Sequence, residues 1–253
     1  MPPFYRAPAR RLAGSRLSST TSSDIISGAV VTKPVVALFD VDETLVHTGG
    51  AGARAWNAAF EQVHGLPADI GQHTSAGETD PQVARETFRG VLGRAPVGDE
   101  LDPIYAQYLL HLSDDIWKSA EYRMLSGADQ VLQRLIDAGV ILGIVSGAME
   151  GAARTKLMPA NLNRFFLFGA YGSDSPDRPE LTRIAIEKAG RLHADLAAAD
   201  VFVVGDTPLD IAAALGAGAV SVGVATGKYG KDELEAAGAT HVLGSLEEPF
   251  PGI

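Results

Sequence analysis

The sequence has 253 residues, of which 46% are hydrophobic and 21% are charged, and this allows one large domain or two smaller ones to bury a core. A net charge of −10 argues against nucleic acid and anionic membranes as partners, because an acidic surface repels both. The sequence has no cysteine, which excludes disulfides, thiolate catalysis and cysteine-ligated zinc. No apolar run approaches the roughly 18 residues of a membrane span.

The first 33 residues differ in composition from the rest. Four arginines precede the first acid, Asp24, and residues 18–23 form an unbroken run of serine and threonine. This composition predicts a disordered tail over residues 1–33, and it is also typical of an organelle transit peptide. We therefore expect a cytoplasmic protein, with targeting to an organelle through the N-terminus as the alternative.

Short apolar runs alternate with helical patterns in much of the remaining chain. The clearest runs are residues 35–39, 140–145 and 201–204, and weaker ones are 165–168 and 219–224. Continuous apolar runs of this length are typical of strands that are buried on both faces. Helices are indicated at residues 128–138, from Pro179 and from Pro208. The alternation predicts an α/β fold, a parallel sheet with helices on both faces.

The stretch of residues 48–123 interrupts this alternation. It shows three helical periods, at residues 53–63, 81–92 and 99–118, and no strong strand. We therefore predict an α/β core built from residues 34–47 and 124–253, with a helical insertion over residues 48–123. Three glycines at residues 49–52 make a hinge plausible on one side of the insertion.

Three predicted strands end in reactive polar residues. Asp40 and Asp42 follow the first strand, Ser146 and Gly147 follow the second, and Asp206 follows the third. In an open parallel sheet, ligands bind outside the carboxyl ends of the strands, so these residues should lie together. The convergence of three strand ends is stronger evidence for a site than any one motif, and it predicts a functional site at this edge.

Asp40 and Asp42 are candidates for a metal site. Carboxylates held close together repel one another, and a divalent cation relieves the repulsion. Hard oxygen ligands suit Mg²⁺, and Asp206 supplies a further carboxylate. The alternative is a solvated acidic turn. The further carboxylate of Asp206, at the end of a different strand, argues against this alternative.

Two other candidates have simple structural alternatives. Ser146 and Gly147 could bind a phosphate through the hydroxyl and backbone N–H groups, or Ser146 could cap a helix. Asp210 fits a capping box with Thr207 and could also belong to the metal site; both roles can hold together.

The order of these motifs resembles the haloacid dehalogenase-like superfamily. The motifs are D-V-D-E-T at residues 40–44, an apolar run followed by Ser146-Gly147, and G-D-T-P-L-D at residues 205–210. The resemblance extends over almost all of the chain beyond the tail. It implies a Rossmann-like core, a mobile cap of the helical C1 type at residues 48–123, and a phosphatase activity that uses Mg²⁺.

The resemblance also implies a role for each matching residue. Asp40 would be the nucleophile that forms an aspartyl-phosphate, and Asp42 the acid and base. Ser146 and Gly147 would bind the phosphate, and Thr44 would orient the first loop beside it. The Mg²⁺ ligands would be the Asp40 carboxylate, the Asp42 backbone carbonyl and Asp206, with Asp210 in support.

Two positions depart from the family pattern. Glu43 stands where the family often has glycine, so the first loop could be tighter. Arg178 stands where the family has a phosphate-facing lysine, and its guanidinium keeps the positive charge. We predict that Arg178 takes that role; Lys188 and Lys156 are weaker candidates because they lie inside predicted helices.

In the insertion, residues 77–80 (G-E-T-D) resemble the substrate-specificity loop of phosphoglycolate phosphatase-like members. Thr79 and Asp80 are the candidate residues there, although helix capping alone also explains them. We therefore expect a Mg²⁺-dependent phosphomonoesterase that acts on a small phosphorylated, phosphoglycolate-like metabolite. A phosphosugar mutase and a catalytically silent binding protein remain alternatives, whereas Asp42 argues against a dehalogenase.

Overall fold

The computed structural model describes residues 33–253 without a gap. Before them it describes only the backbone of two short antiparallel strands, β1 (Ile25–Ile26) and β2 (Ala29–Val30). The rest of the predicted disordered tail lies outside the described residues.

The later strands and the helices follow the predicted alternation. The strands are β3 (Val36–Phe39), β4 (Val46–His47), β5 (Arg123–Met124), β6 (Ile141–Ser146), β7 (Phe168–Tyr171), β8 (Val201–Gly205), β9 (Val220–Val224) and β10 (His241–Leu243). The helices are α1 (Ala51–His64), α2 (Asp80–Leu92), α3 (Asp102–Asp115), α4 (Ala128–Asp137), α5 (Glu150–Leu157), α6 (Arg178–Gly190), α7 (Pro208–Gly216) and α8 (Lys231–Ala236).

A six-stranded sheet organises the structure, with strand order β10-β9-β8-β3-β6-β7. All of its pairings are parallel, which confirms the predicted α/β fold. β3 lies in the interior between β6 and β8, and Phe39 pairs with Ile144 on one side and with Val204 on the other. This register brings the carboxyl ends of three strands side by side.

The sheet is buried on both faces, and its interior strands β3 and β8 carry no polar residue. In β3, Ala37 and Phe39 pack into the larger core, whereas Val36 and Leu38 pack into a second core on the other face. All four side chains are fully buried. Two-sided burial explains why the strands read as continuous apolar runs in the sequence.

One weak strand prediction was displaced along the chain. Residues 165–168 were expected to form a strand, but Leu162–Phe165 is a short 3₁₀ helix and β7 begins only at Phe168. Aromatic residues fit either conformation when they are buried, so an apolar run of this length does not fix the start of a strand.

The segment between β4 and β5 is helical, as the sequence indicated. α1 and α3 pack together, and the rings of Trp56 and Tyr108 stack with centroids 4.0 Å apart. β4 and β5 pair as antiparallel strands where the segment leaves and rejoins the sheet. Gly49 and Gly50 have φ angles of 60° and 78°, which suit glycine at the entrance to α1. The division of the chain into a core and a mobile cap stays a prediction.

Among the described residues, no helix combines the length and the apolar character that a membrane crossing requires.

Candidate functional site

The ends of β3, β6 and β8 form one edge of a cavity of about 570 Å³. Asp40, Ser146 and Asp206 follow or end these three strands, and all three are buried. The helical segment supplies part of the other side of the cavity, including Trp56 and Tyr108. The structure therefore brings together the strand-end residues that the sequence singled out.

Three carboxylates cluster at this edge. Asp40, Asp206 and Asp210 each offer an oxygen within 4.8 Å of the others. Burial, together with the nearby Asp210 and Asp40 carboxylates, raises the pKa of Asp206 to about 9. Such crowding favours a divalent cation, and an all-oxygen donor set fits Mg²⁺. The side chain of Asp42 is not part of this cluster.

Arg178 is the cation nearest to the three carboxylates. Its Nε donates to Asp210 Oδ1 at 3.0 Å, and its Nη2 lies 3.3 Å from Asp40 Oδ2. Burial by itself lowers the pKa of Arg178, but the Asp210 and Asp40 carboxylates outweigh burial and raise it. The Arg178 side chain is 9% exposed, so Arg178 is an interior residue at the site.

Arg178 also joins the site to the helical segment. Its Nη1 donates to the carbonyl of Gly77 at 2.9 Å. Thr79 Oγ1 donates to the carbonyl of Pro176 at 3.0 Å, and Asp80 N donates to the carbonyl of Gly147 at 2.8 Å. Residues 77–80 therefore lie directly against the loops that follow β6 and β7. Thr79 is also the N-cap of α2, so the capping alternative and proximity to the site hold together.

Asp42 has a different partner. Lys156 Nζ donates to Asp42 Oδ2 at 2.6 Å, and the lysine side chain is only 7% exposed, compared with 40% for the Asp42 side chain. Burial lowers the pKa of Lys156, but the Asp42 carboxylate reverses this effect and raises it. The structure thus places at the site a residue that the sequence had ranked below Arg178.

The position of Lys156 follows from helix geometry. α5 begins at Glu150, just after the Ser146 loop, and helical side chains tilt toward the N-terminus of their helix. A long side chain in the second turn therefore reaches back to the strand ends. Lys188 instead donates to the carbonyl of Gly169 at 2.7 Å and pairs with Asp174, and it does not line the cavity.

The first loop contains a strained residue. Glu43 has a φ of 54°, in the left-handed region that glycine adopts most easily. An ordinary residue pays roughly 1–2 kcal/mol there, which explains why this position suits glycine. The Thr226 hydroxyl donates to the Glu43 carbonyl at 2.5 Å, and the Glu43 carboxylate pairs with His47 at 2.6 Å. Thr44 is buried, and its hydroxyl has no hydrogen-bond partner among the described residues.

Ser146 and Gly147 form a tight turn. Ser146 Oγ accepts from Ala148 N at 3.3 Å, and the N-cap of α5 is Met149, so Ser146 is not the helix cap that was the alternative. A Cβ on Gly147 would lie 2.9 Å from Arg178 Nη1 and equally close to the Glu78 carbonyl. Only glycine therefore fits between the cation and the helical segment.

Asp210 has two structural roles. Its Oδ2 accepts from the hydroxyl and the backbone N–H of Thr207, at 2.7 and 3.1 Å, in the predicted capping box of α7. Its Oδ1 accepts from Arg178. The two sequence alternatives for Asp210, a helix cap and a member of the carboxylate cluster, are therefore compatible.

Comparison with known proteins assigns the family. A sequence model of the haloacid dehalogenase-like hydrolases matches residues 35–218. The chain therefore belongs to the haloacid dehalogenase-like hydrolase family, and the resemblance seen in the motifs is confirmed. The matched range spans all three strand-end motifs, the helical segment and Arg178.

Two curated proteins are similar along most of the chain. The probable phosphatase IndB of Dickeya dadantii (strain 3937) is 28% identical, over 85% of this chain and 91% of the relative. The phosphoglycolate phosphatase of Rhodospirillum rubrum is 29% identical, over 83% of this chain and 87% of the relative.

Solved structures share the fold. A predicted phosphoglycolate phosphatase from Haemophilus somnus 129PT superimposes with a TM-score of 0.67 at 20% identity, covering 85% of this chain and 96% of that one. CbbY from Rhodobacter sphaeroides, crystallised with phosphate, gives a TM-score of 0.66 at 20% identity and the same coverage. At this identity the likeness concerns the fold alone.

Proposed function

We propose that this protein is a Mg²⁺-dependent phosphomonoesterase that acts on a small phosphorylated metabolite, with Asp40 as its nucleophile. The observation that carries the proposal is the position of Asp40. Its carboxylate is buried at the end of the interior strand β3, beside Arg178 and within a carboxylate cluster, and it faces a cavity large enough for a metabolite.

The proposed chemistry uses the two acids of the first loop in turn. An Asp40 oxygen attacks phosphorus, the ester P–O bond breaks, and Asp42 gives its proton to the departing oxygen. Asp42, now ionised, takes a proton from a water molecule whose oxygen attacks the aspartyl-phosphate. Inorganic phosphate leaves, and Asp40 is restored.

Residues around the phosphoryl group would neutralise its charge. Arg178, the Thr44 and Ser146 hydroxyls and the backbone N–H of Gly147 would hold its oxygens. This local positive charge is needed because the whole chain carries a net charge of −10.

The metal site would use carboxylates that are already close together. The Asp40 and Asp206 carboxylates and the Asp42 backbone carbonyl would hold Mg²⁺, with Asp210 in support. The ion supplies charge neutralisation for the transferred phosphoryl group. The chain's own residues orient the nucleophile and move the protons.

Residues 48–123 would act as a cap over this site. Residues 77–80 support this role, because they hydrogen-bond to the loops after β6 and β7, and Thr79 and Asp80 would help to define the substrate pocket. The paired strands β4 and β5 would serve as the connection on which the cap moves. A closed cap would exclude bulk water from the aspartyl-phosphate until the leaving group has departed.

The direct test is release of inorganic phosphate from p-nitrophenyl phosphate, with Mg²⁺ and after chelation with EDTA. We expect turnover with Mg²⁺ and its loss in EDTA. Turnover that is unchanged in EDTA would contradict the metal role. A mutase would isomerise a sugar phosphate with little phosphate release, and a silent binding protein would do neither.

A further inference from the structure

Among the described residues, one carboxylate that lines the cavity has no cation partner. Glu78 lines the cavity, and its Oε2 is buried without a hydrogen-bond partner among the described residues. Its backbone carbonyl lies 2.9 Å from the position of a Cβ on Gly147, so Glu78 lies against the proposed phosphate-binding turn. Burial raises the pKa of Glu78 above its usual value, and a backbone hydrogen bond from Ser75 offsets this rise only in part.

The cations that line the cavity already have carboxylate partners. Arg178 pairs with Asp210 and Asp40, and Lys156 pairs with Asp42. His47, the remaining basic residue among the described lining residues, pairs with Glu43. A substrate can therefore find positive charge for its phosphate near Arg178, but no uncommitted cation for a second anionic group.

We infer that Glu78 selects phosphate esters whose leaving group carries a hydrogen-bond donor, a hydroxyl or an ammonium group, and disfavours those that carry a carboxylate. The inference rests on the proposed phosphatase function and narrows its substrate class. No cation pairs with the Glu78 carboxylate among the described residues, so a substrate that brings a donor to it gains an interaction that a substrate without a donor lacks. A carboxylate beside Glu78 would add like-charge repulsion. The inference therefore replaces the phosphoglycolate-like substrate expected from the resemblance with a phosphate ester whose leaving group is neutral or cationic.

Three esters of nearly equal size test this selection. They are O-phosphoethanolamine, 2-hydroxyethyl phosphate and phosphoglycolate, which place an ammonium, a hydroxyl or a carboxylate at the same distance from the phosphate. We expect kcat/KM for the first two to exceed that for phosphoglycolate by about 10-fold or more, in the range that a single unpaired polar group produces. Equal or better turnover of phosphoglycolate would overturn the inference.

A charge-neutral variant assigns the effect to Glu78. Glu78→Gln keeps the size and one acceptor oxygen but removes the charge, so the disadvantage of phosphoglycolate should shrink several-fold. Glu235→Gln makes the same change in net charge on the exposed face of α8 and should leave the ratios as they are in the wild type. Ratios that stay the same in Glu78→Gln would show that another group sets the preference.

The two proposals fail in different ways. Turnover of p-nitrophenyl phosphate with Mg²⁺ but no preference among the three esters would overturn only the role of Glu78. Absence of all turnover would contradict the proposed function. In that case calorimetry can still test the role of Glu78 by measuring the binding of the three esters to the wild type and to Glu78→Gln. The wild type should bind the three esters in the same order of affinity as the order expected for their turnover.

Discussion

Asp40 and Asp42 lie two residues apart in one loop, but the structure gives them different surroundings. Asp40 faces the sheet side, where it is buried next to Arg178 and two other carboxylates. Asp42 faces α5, where its side chain is 40% exposed and pairs with Lys156. Residues of the same type can thus take different chemical roles, because neighbours and burial decide which proton state and which contact each one has.

The two cations differ in the same way. Arg178 connects Asp210, Asp40 and the Gly77 carbonyl through the separate nitrogens of its guanidinium. Lys156 meets one carboxylate oxygen as a point charge. A planar fork can couple the phosphate site to the helical segment, whereas an ammonium group adjusts only the local charge.

The largest expected effect tests Asp40, the buried member of the pair. Asp40→Asn should lower kcat by about 10⁴-fold or more, because an amide does not attack phosphorus. The measurement is phosphate release by the purified variant, with circular dichroism to confirm that it is folded. Near-normal kcat in a folded Asp40→Asn protein would remove Asp40 from the proposed role.

The next effect tests the other acid. Asp42→Asn should lower kcat/KM for alkyl phosphates by roughly 10²–10⁴-fold, because a poor leaving group needs a proton as it departs. Aryl phosphates should lose less, since an aryl oxide leaves without much protonation. The measurement compares the two substrate types side by side, and equal losses would count against Asp42 as the acid.

Arg178 should show a smaller effect. Arg178→Ala should lower kcat/KM by roughly 10²-fold, in the range of a lost transition-state donor. Arg178→Lys should recover part of the loss if charge is sufficient, and little of it if the contact with Gly77 matters. Lys188→Ala is the matched control and should be nearly neutral, because Lys188 pairs with Asp174 away from the cavity. Loss of activity in the control alone would move the role from Arg178 to Lys188.

The smallest effect is thermal. Burial raises the pKa of Asp40 to about 7 and that of Asp206 to about 9, from an ordinary value of 3.8 for each. Groups with raised pKa values stabilise the folded state fully below their unfolded pKa, and this contribution is lost as pH rises through the folded values. Without metal, the Tm should therefore fall between pH 5 and pH 9.

Added Mg²⁺ should reverse that fall by several degrees, since it binds the ionised carboxylates of the folded state. The gain in Tm should be larger at pH 9 than at pH 5, because protons compete with the ion at low pH. Asp206→Asn should reduce both the pH dependence and the gain. An equal gain in Tm at both pH values would contradict this linkage.

Much of the fold and part of the site could be predicted from local patterns in the sequence. Apolar runs such as residues 35–39 predicted buried strands, and the alternation of strands and helices predicted a parallel sheet. A parallel sheet gathers the carboxyl ends of its strands at one edge, so Asp40 and Asp206 could be placed together before any coordinates were known. The resemblance to the family pointed to Arg178 in the same way, through its position beside a helix start.

Other contacts were decided only by the tertiary structure. Lys156 meets Asp42 across 114 positions of the chain, and Arg178 meets Gly77 across 101. Local periodicity gives the face of a helix, but it does not give the distance between two helices or which side chain spans it. The lack of a cation partner for Glu78 among the described residues also depends on every group that packs around it. The sequence determined the sheet and the residues at its edge because strand burial and chain direction are local properties, whereas three-dimensional packing decided how their charges pair.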